Sequence, residues 1–357
     1  MAKLRVGVIG AGSWAVASHL PNLARHADEV EFTAVSRLGR PALERIRDRY
    51  GFSVASEDYR DVIAAGVDIC VVAGPSALHH EHAKAALESG AHVLVEKPVT
   101  VDPRQAWDLV ETARRVDRRV VVSFGWNYFP MVREAKRLME TGGGVGTIEQ
   151  MAIQMASVTR DLLANLGAYP AAAPDSAPEA ATWTDPALSG GGYGQAQLSH
   201  ALGLGLWLSG LRGAEVFAFM SAPLDAPVEL HDAIALRYEN GAIGTLSGGS
   251  SHEGANDNKH MLEVRIIGSE GQLHIDLERE TVWRYRGPND DVRLDVRPGA
   301  GTYDCAGPID TLVDLGLGRK VENCSPIELG ARTVEILDAA YRSARSGGAE
   351  RVRAGAV

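Results

Sequence analysis

The chain has 357 residues, 45% of them hydrophobic, so it can bury a large core and is long enough for two domains. Lys plus Arg number 36 against 46 Asp plus Glu, a net charge of −10, which argues against a protein held on nucleic acid or anionic lipid by its overall field. No run approaches the roughly 18 apolar residues of a membrane span, and Cys70, Cys305 and Cys324 are too few and too scattered for a disulfide framework or a four-ligand zinc site.

A cytoplasmic protein without a metal centre is therefore expected. The first 125 residues alternate short β-branched runs with amphipathic stretches, the pattern of a parallel sheet covered by helices on both faces. The runs are Leu4 to Ile9, Phe32 to Val35, Ile69 to Ala73, Val93 to Val95 and Val120 to Phe124. Between them lie helix-period segments such as Leu43, Ile46, Tyr50 and Ala106, Leu109, Val110, Ala113, the latter opened by Asp102 as N-cap and Pro103 at the first helical position. Directly after the first run, Gly10-Ala11-Gly12-Ser13-Trp14-Ala15 fits Gly-x-Gly-x-x-Ala. The two glycines permit a tight turn and close approach of a pyrophosphate to backbone N–H groups, and Ala15 lets helix and strand pack closely. A dinucleotide-binding turn is favoured over a structural one by this placement at the start of a βαβ unit.

The second strand ends in Ser36-Arg37, where an NAD site would present an acidic residue to the ribose. A hydroxyl and a guanidinium suit a 2′-phosphate instead, so NADP is preferred; Glu31, before the strand, keeps NAD as an alternative. After the run Val93 to Val95 stands Glu96-Lys97-Pro98, at the carboxyl end of a strand where open α/β sheets bind ligands. On spacing alone a surface ion pair is the favoured reading over a catalytic one. Trp126, Asn127 and Tyr128 follow the fifth run where the chain enters its second half. An aromatic face beside an amide suits a sugar ring, with ordinary packing as the alternative.

Beyond residue 125 the rhythm changes. One helix, Met131 to Glu140, precedes strand-like runs at Ile148 to Met155, Ile234 to Tyr238, Ile243 to Leu246, Leu262 to Ile267 and Leu273 to Ile275, with Asn240-Gly241 as a hairpin turn. Residues 126–357 are thus expected to form an open, mainly antiparallel sheet with helices on one face, the last helix packing back on the first domain. The aperiodic stretch from Leu163 to Ser189, rich in Ala, Pro and Asp, is either a disordered insertion or a loop closing over a site, and Arg160 and Trp183, flanking it, are candidates to join Trp126, Asn127 and Tyr128 around a substrate, with packing or surface exposure as the alternative. Gly190-Gly191-Gly192-Tyr193-Gly194-Gln195-Ala196-Gln197-Leu198-Ser199-His200 then leads into a helix-like run. A lone histidine in such a run is more often a core residue than a catalyst, and Gln197 shares its helical face.

Taken together, these motifs resemble the family of glucose-fructose oxidoreductase, inositol dehydrogenase and related sugar dehydrogenases (Gfo/Idh/MocA). The resemblance rests on Gly10-Ala11-Gly12, Gly74-Pro75 followed by His79, Glu96-Lys97-Pro98, Phe124 to Pro130, the glycine block ending at His200, and the closing Tyr341-Arg342-Ser343-Ala344. It implies a Rossmann domain followed by a substrate-binding and oligomerising domain, and hydride exchange between nicotinamide and a secondary alcohol of a sugar, sugar derivative or cyclitol. By resemblance Lys97 polarises the reacting oxygen, His200 relays its proton, the Lys97-Pro98 bond is cis, His79 and Glu96 belong to the cofactor side, and the chain forms a homodimer or homotetramer.

One departure matters. Many members carry an Asp four residues before the histidine, and here that position is Ala196. Without that carboxylate, Gln197 is a candidate to fix the imidazole and Tyr193 a candidate proton donor. Two rivals remain: an enzyme that cleaves glycosides by transient oxidation with a tightly held cofactor, and a non-catalytic dinucleotide sensor.

Overall fold

The computed structural model describes residues 2–168, 178–251 and 260–353. Among these residues the strands form two sheets. In the first, β1 (Leu4–Ile9), β2 (Val30–Ser36), β3 (Val54–Ser56), β4 (Ile69–Val72), β5 (His92–Val95) and β6 (Val120–Val122) run parallel in the order β3-β2-β1-β4-β5-β6. Val6, Val8, Ile69, Val71, Leu94 and Val121 are buried, as strands covered on both faces require, and this is why the sequence shows continuous β-branched runs. The strand order reverses between β1 and β4, which opens a crevice at the carboxyl ends of β1, β4 and β5. The helix Pro103–Arg115 starts as read from sequence, with the Asp102 carboxylate accepting the Arg104 N–H at 2.8 Å. The edge strand β3 escaped sequence reading because Val54-Ala55-Ser56 is short and only half-buried.

The second sheet is mixed and mostly antiparallel. Its strands are β7 (Ile148–Ser157), β8 (Gly213–Ser221), β9 (His231–Tyr238), β10 (Ile243–Ser250), β11 (Met261–Gly268), β12 (Gly271–Asp276), β13 (Thr281–Tyr285), β14 (Asp291–Arg293) and β15 (Glu350–Arg351). They lie in the order β14-β13-β12-β11-β7-β10-β9-β8-β15, and only the β7–β10 pair is parallel. Asn240-Gly241 turns the chain from β9 to β10, with Gly241 at φ +88° and its N–H donating to Tyr238 O at 3.0 Å. Along β9, Asp232, Ile234, Leu236 and Tyr238 point inward while Ala233, Ala235 and Arg237 are exposed. β8 was not visible in the sequence because Phe217 and Phe219 on its outer side break the apolar–polar alternation.

Two C-terminal helices join the layers. Ile309, Leu312 and Val313 of the helix Ala306–Gly316 share one core with Val6, Ile69 and Leu94 of the first sheet. The helix Ile327–Ser346 lies between Pro103–Arg115 and β8, where Trp107 Nε1 donates to Glu335 Oε2 at 3.0 Å. The crevice of the first sheet is therefore roofed by residues from the second half of the chain.

Candidate active site

The turn after β1 is built around a glycine that tolerates no side chain. Gly10 has φ +76°, and a Cβ placed on it would lie 2.4 Å from Gly74 N, so the turns after β1 and β4 touch backbone to backbone. The Gly10 and Ala11 N–H groups both donate to Ser36 O at 2.9 Å, locking the turn to the end of β2. Gly12 faces open space, with only Gly10 O within 4 Å of a Cβ position. Ala15 is buried, and the chain continues through a π-type turn, Ala15–His19, into the helix Leu20–Ala24.

The turn opens onto a cavity of about 1260 Å³. At one end it is lined by Ser36, Arg37, Glu57 and Glu179. Arg37 is held by Ala11 O at 3.3 Å and Leu38 O at 3.1 Å, and Glu57 accepts the Gly39 N–H at 2.8 Å. Ser13, Trp14, Gly74, Pro75 and His79 line the middle. The buried His79 ring spans two loops, its nitrogens 2.8 Å from Pro98 O and 2.9 Å from Gly74 O.

Glu96, Lys97, Trp126, Gln197, His200, His260 and Tyr303 line the other end. The Lys97-Pro98 bond is cis. Lys97 Nζ donates to Ala196 O at 2.7 Å and lies 5.9 Å from the centre of the Trp183 ring. Burial lowers the Lys97 amine below the usual lysine range, against the opposing pull of Glu96. Burial by itself would raise Glu96, but its bond to His19 Nε2 at 2.7 Å, the charges of His19 and Lys97 and a bond from Ser123 hold the carboxyl at about 2. His200 is buried, its Nδ1 has no hydrogen-bond partner among the described residues, and burial with the Lys97 charge pushes it well below the usual histidine range. The same two causes bring His260 down to about 4. Tyr303 sits among these groups, with ring centres 4.5 Å from Trp126, 5.7 Å from His200 and 6.0 Å from both His260 and Trp14. One ionised carboxylate, one amine and two neutral imidazoles thus share a desolvated pocket.

Several residues singled out in the sequence lie elsewhere. Tyr193 is buried beneath β7, donating to Met155 O at 3.3 Å and accepting from Ser157 Oγ at 3.2 Å, so it is no proton donor to the cavity. Asn127 Nδ2 donates to Cys324 O at 3.0 Å and Tyr128 OH to Asn323 Oδ1 at 3.0 Å; both tie the returning chain to the end of β6 rather than face a ligand. Arg160 opens the short helix Arg160–Leu163 and is not among the lining residues. Gln197 lines the cavity, but among the described residues no bond joins it to His200 Nδ1. Of the aperiodic stretch, 169–177 falls outside the described residues, while Glu179, Thr182, Trp183 and Ser189 line the cavity. Sequence reading missed Tyr303, His260 and Cys305. Tyr303 and Cys305 precede a helix in a segment without period, and His260 is a single histidine at the head of a strand.

A Rossmann sheet whose glycine turn opens on a pocket lined by a lysine and a histidine defines the class of dinucleotide-binding folds. Family models agree along most of the chain. Residues 4–124 match the "oxidoreductase family, NAD-binding Rossmann fold" and residues 132–274 the "GFO/IDH/MocA C-terminal domain". The chain belongs to the Gfo/Idh/MocA oxidoreductase family. It is 32% identical over 146 residues to the D-glucoside 3-dehydrogenase of Escherichia coli, covering 41% of each chain. It is 28% identical over 141 residues to an inositol 2-dehydrogenase/D-chiro-inositol 3-dehydrogenase of Lactiplantibacillus plantarum, covering 39% of this chain and 40% of that one. The matched stretch thus spans about two fifths of these relatives. A levoglucosan dehydrogenase solved with NADH and levoglucosan shares the fold, with TM-score 0.77, 20% identity and coverage of 98% of this chain and 100% of that one.

The Lys97 charge is one reason His260 stays neutral. Imidazole titration followed by NMR is expected to place His260 near pH 4 and to move it upward in Lys97→Met; an unmoved value would place the amine too far away to act on it.

Proposed function

We propose that the protein transfers a hydride between a nicotinamide dinucleotide and a secondary alcohol or ketone of a sugar, sugar derivative or cyclitol. The observation that carries this reading is that Lys97 and His200 line one cavity with the turn of Gly10 and Gly12. The residues fit such a cofactor: Gly12 leaves open space for a close approach, and Ser13, Trp14, Ser36, Arg37, Gly74, Pro75, His79 and Glu96 line the path from that turn to Lys97. When bound, the nicotinamide supplies or accepts the hydride.

The chain's own groups do the rest. Lys97 Nζ, already a donor to Ala196 O, hydrogen-bonds the reacting oxygen. His200, kept neutral by burial and the Lys97 charge, accepts the proton an alcohol loses on oxidation or returns it on reduction. Trp126, Trp183 and Tyr303 offer faces to the apolar side of a ring, and Gln197 offers an amide to its hydroxyl edge.

Arg37 at the end of β2 suits the 2′-phosphate of NADP, the preferred cofactor in this reading. Glu57 and Glu179 at the same end favour a ribose hydroxyl, so NAD is the second cofactor. A cytoplasmic location fits the three buried thiols. The exposed Phe219, Ile243 and Ile267, on the outer side of the second sheet, suit packing against a second copy.

A screen of sugars, nucleotide sugars and inositols with NADP and NAD side by side tests this reading. It predicts a net change at the nicotinamide absorbance band with a sugar-like substrate, lost on the order of 10²-fold or more in Lys97→Ala, and a KM that rises more for NADP than for NAD in Arg37→Ala. Product forming with no net change at that band would instead fit bond cleavage by transient oxidation, and cofactor binding without turnover across the panel would fit a sensor. Light scattering of Phe219→Glu checks the assembly: a smaller species than the parent supports packing through the sheet face, and an unchanged mass contradicts it.

A further inference from the structure

The glycine block and the closing Tyr341 stand about 150 residues apart in the sequence, yet in the structure they meet on one carboxylate. Glu229, just before β9, accepts the Gly192 N–H on both oxygens at 2.9 Å, the Gly194 N–H at 3.0 Å and the Tyr341 hydroxyl at 2.6 Å. Tyr341 OH in turn accepts the Gln195 N–H at 3.2 Å, and Glu229 O accepts the Tyr193 N–H at 3.0 Å. The glycines are sterically required. A Cβ on Gly192 would lie 2.2 Å from Glu229 O, and one on Gly191 would lie 2.3 Å from Tyr341 OH.

The segment held in this way ends at Ala196, whose carbonyl accepts Lys97 Nζ at 2.7 Å, and one helical turn later carries His200. Neither Glu229 nor Tyr341 lines the cavity. We propose that Glu229 and Tyr341 are positioning residues that fix the Ala196 carbonyl, and through it the Lys97 amine, inside the site; the proposal rests on the oxidoreductase reading only for its effect on turnover. A neighbouring acid sharpens the assignment. Asp232 is buried with neither carboxyl oxygen hydrogen-bonded among the described residues, and burial with the Glu229 charge pushes it well above the usual carboxylate range. Burial raises Glu229 as well, but the bonds it accepts from Tyr341, Gly194 and Gly192 oppose that rise, and Asp232 has no such bonds among the described residues, so the negative charge of the pair rests on Glu229.

The clamp does not depend on the side chain at position 196. A main-chain carbonyl is available whatever the side chain there, provided the backbone is held still. Fixing it needs a carboxylate with several N–H donors, which Glu229 supplies from outside the pocket.

The test uses the full chain with Tyr341→Phe and Glu229→Gln, both of nearly unchanged volume. Acetylation of Lys97 by acetic anhydride, read peptide by peptide in mass spectrometry, reports on the amine without cofactor or substrate. Both variants are expected to raise the Lys97 rate severalfold while Lys84 and Lys136 keep the parent rates. In the turnover assay kcat is expected to fall on the order of 10- to 100-fold with the dissociation constant for NADP unchanged. Parent labelling at Lys97 in folded variants, or an equal rise at all three lysines, overturns the clamp. A rise confined to Lys97 in a protein without turnover on any substrate upholds the clamp and counts against the oxidoreductase reading alone.

Discussion

An amine enclosed in protein has lost its water and must find another acceptor, and most of this architecture follows from how Lys97 meets that demand. Its stem comes from the carboxyl end of β5, its acceptor from the Ala196 carbonyl ninety-nine residues later, and the charge that favours its ammonium from Glu96, the preceding residue. Desolvation favours the neutral amine while Glu96 favours the ammonium, and the first prevails, so the group sits below the ordinary lysine range. A donor poised in that way suits a reacting oxygen whose charge changes during hydride transfer.

The surrounding charges are sorted by the same rule. Glu96 is buried, yet His19 on the first helical turn after the glycine motif holds it ionised. The glycine turn thereby delivers two things at once: backbone open to a dinucleotide, and an imidazole that keeps the acid beside Lys97 charged. His200 and His260 face the same amine, among the described residues no carboxylate is hydrogen-bonded to either ring, and both stay neutral, leaving His200 able to accept a proton. An orienting acid at position 196 would have stabilised an imidazolium instead. Aromatic edges replace it, since Phe124, Trp126 and Tyr303 stand at 64–77° to the His200 ring.

Residues whose role is local were legible in the sequence. Strand runs, the Asp102 cap, the Asn240-Gly241 turn and the Gly10 turn depend on neighbours a few positions away, and each fell where its pattern indicated. Lys97 and His200 were singled out through the family resemblance, since spacing alone pointed to a surface ion pair and a core histidine, and the structure brings both to one cavity. Tyr303 and His260 were not, since their part in the cavity depends on how distant loops close and no local period marks it. The errors share a cause. Tyr193, Asn127 and Tyr128 stand beside true cavity residues in the chain, but helical and turn geometry sends adjacent side chains in different directions. The glycine block signalled a close approach; only coordinates show that the approaching partners are Glu229 and Tyr341 rather than a ligand.

All of this depends on one spatial arrangement, in which the Lys97 amine and the His200 imidazole flank the reactive end of a bound coenzyme. A crystal structure of the protein with NADP or NAD tests it. The account predicts pyrophosphate over the turn of Gly10 and Gly12, adenosine ribose beside Ser36 and Arg37, and the nicotinamide ring within contact of both Lys97 and His200. A dinucleotide seated elsewhere, or a ring that neither side chain reaches, would contradict it.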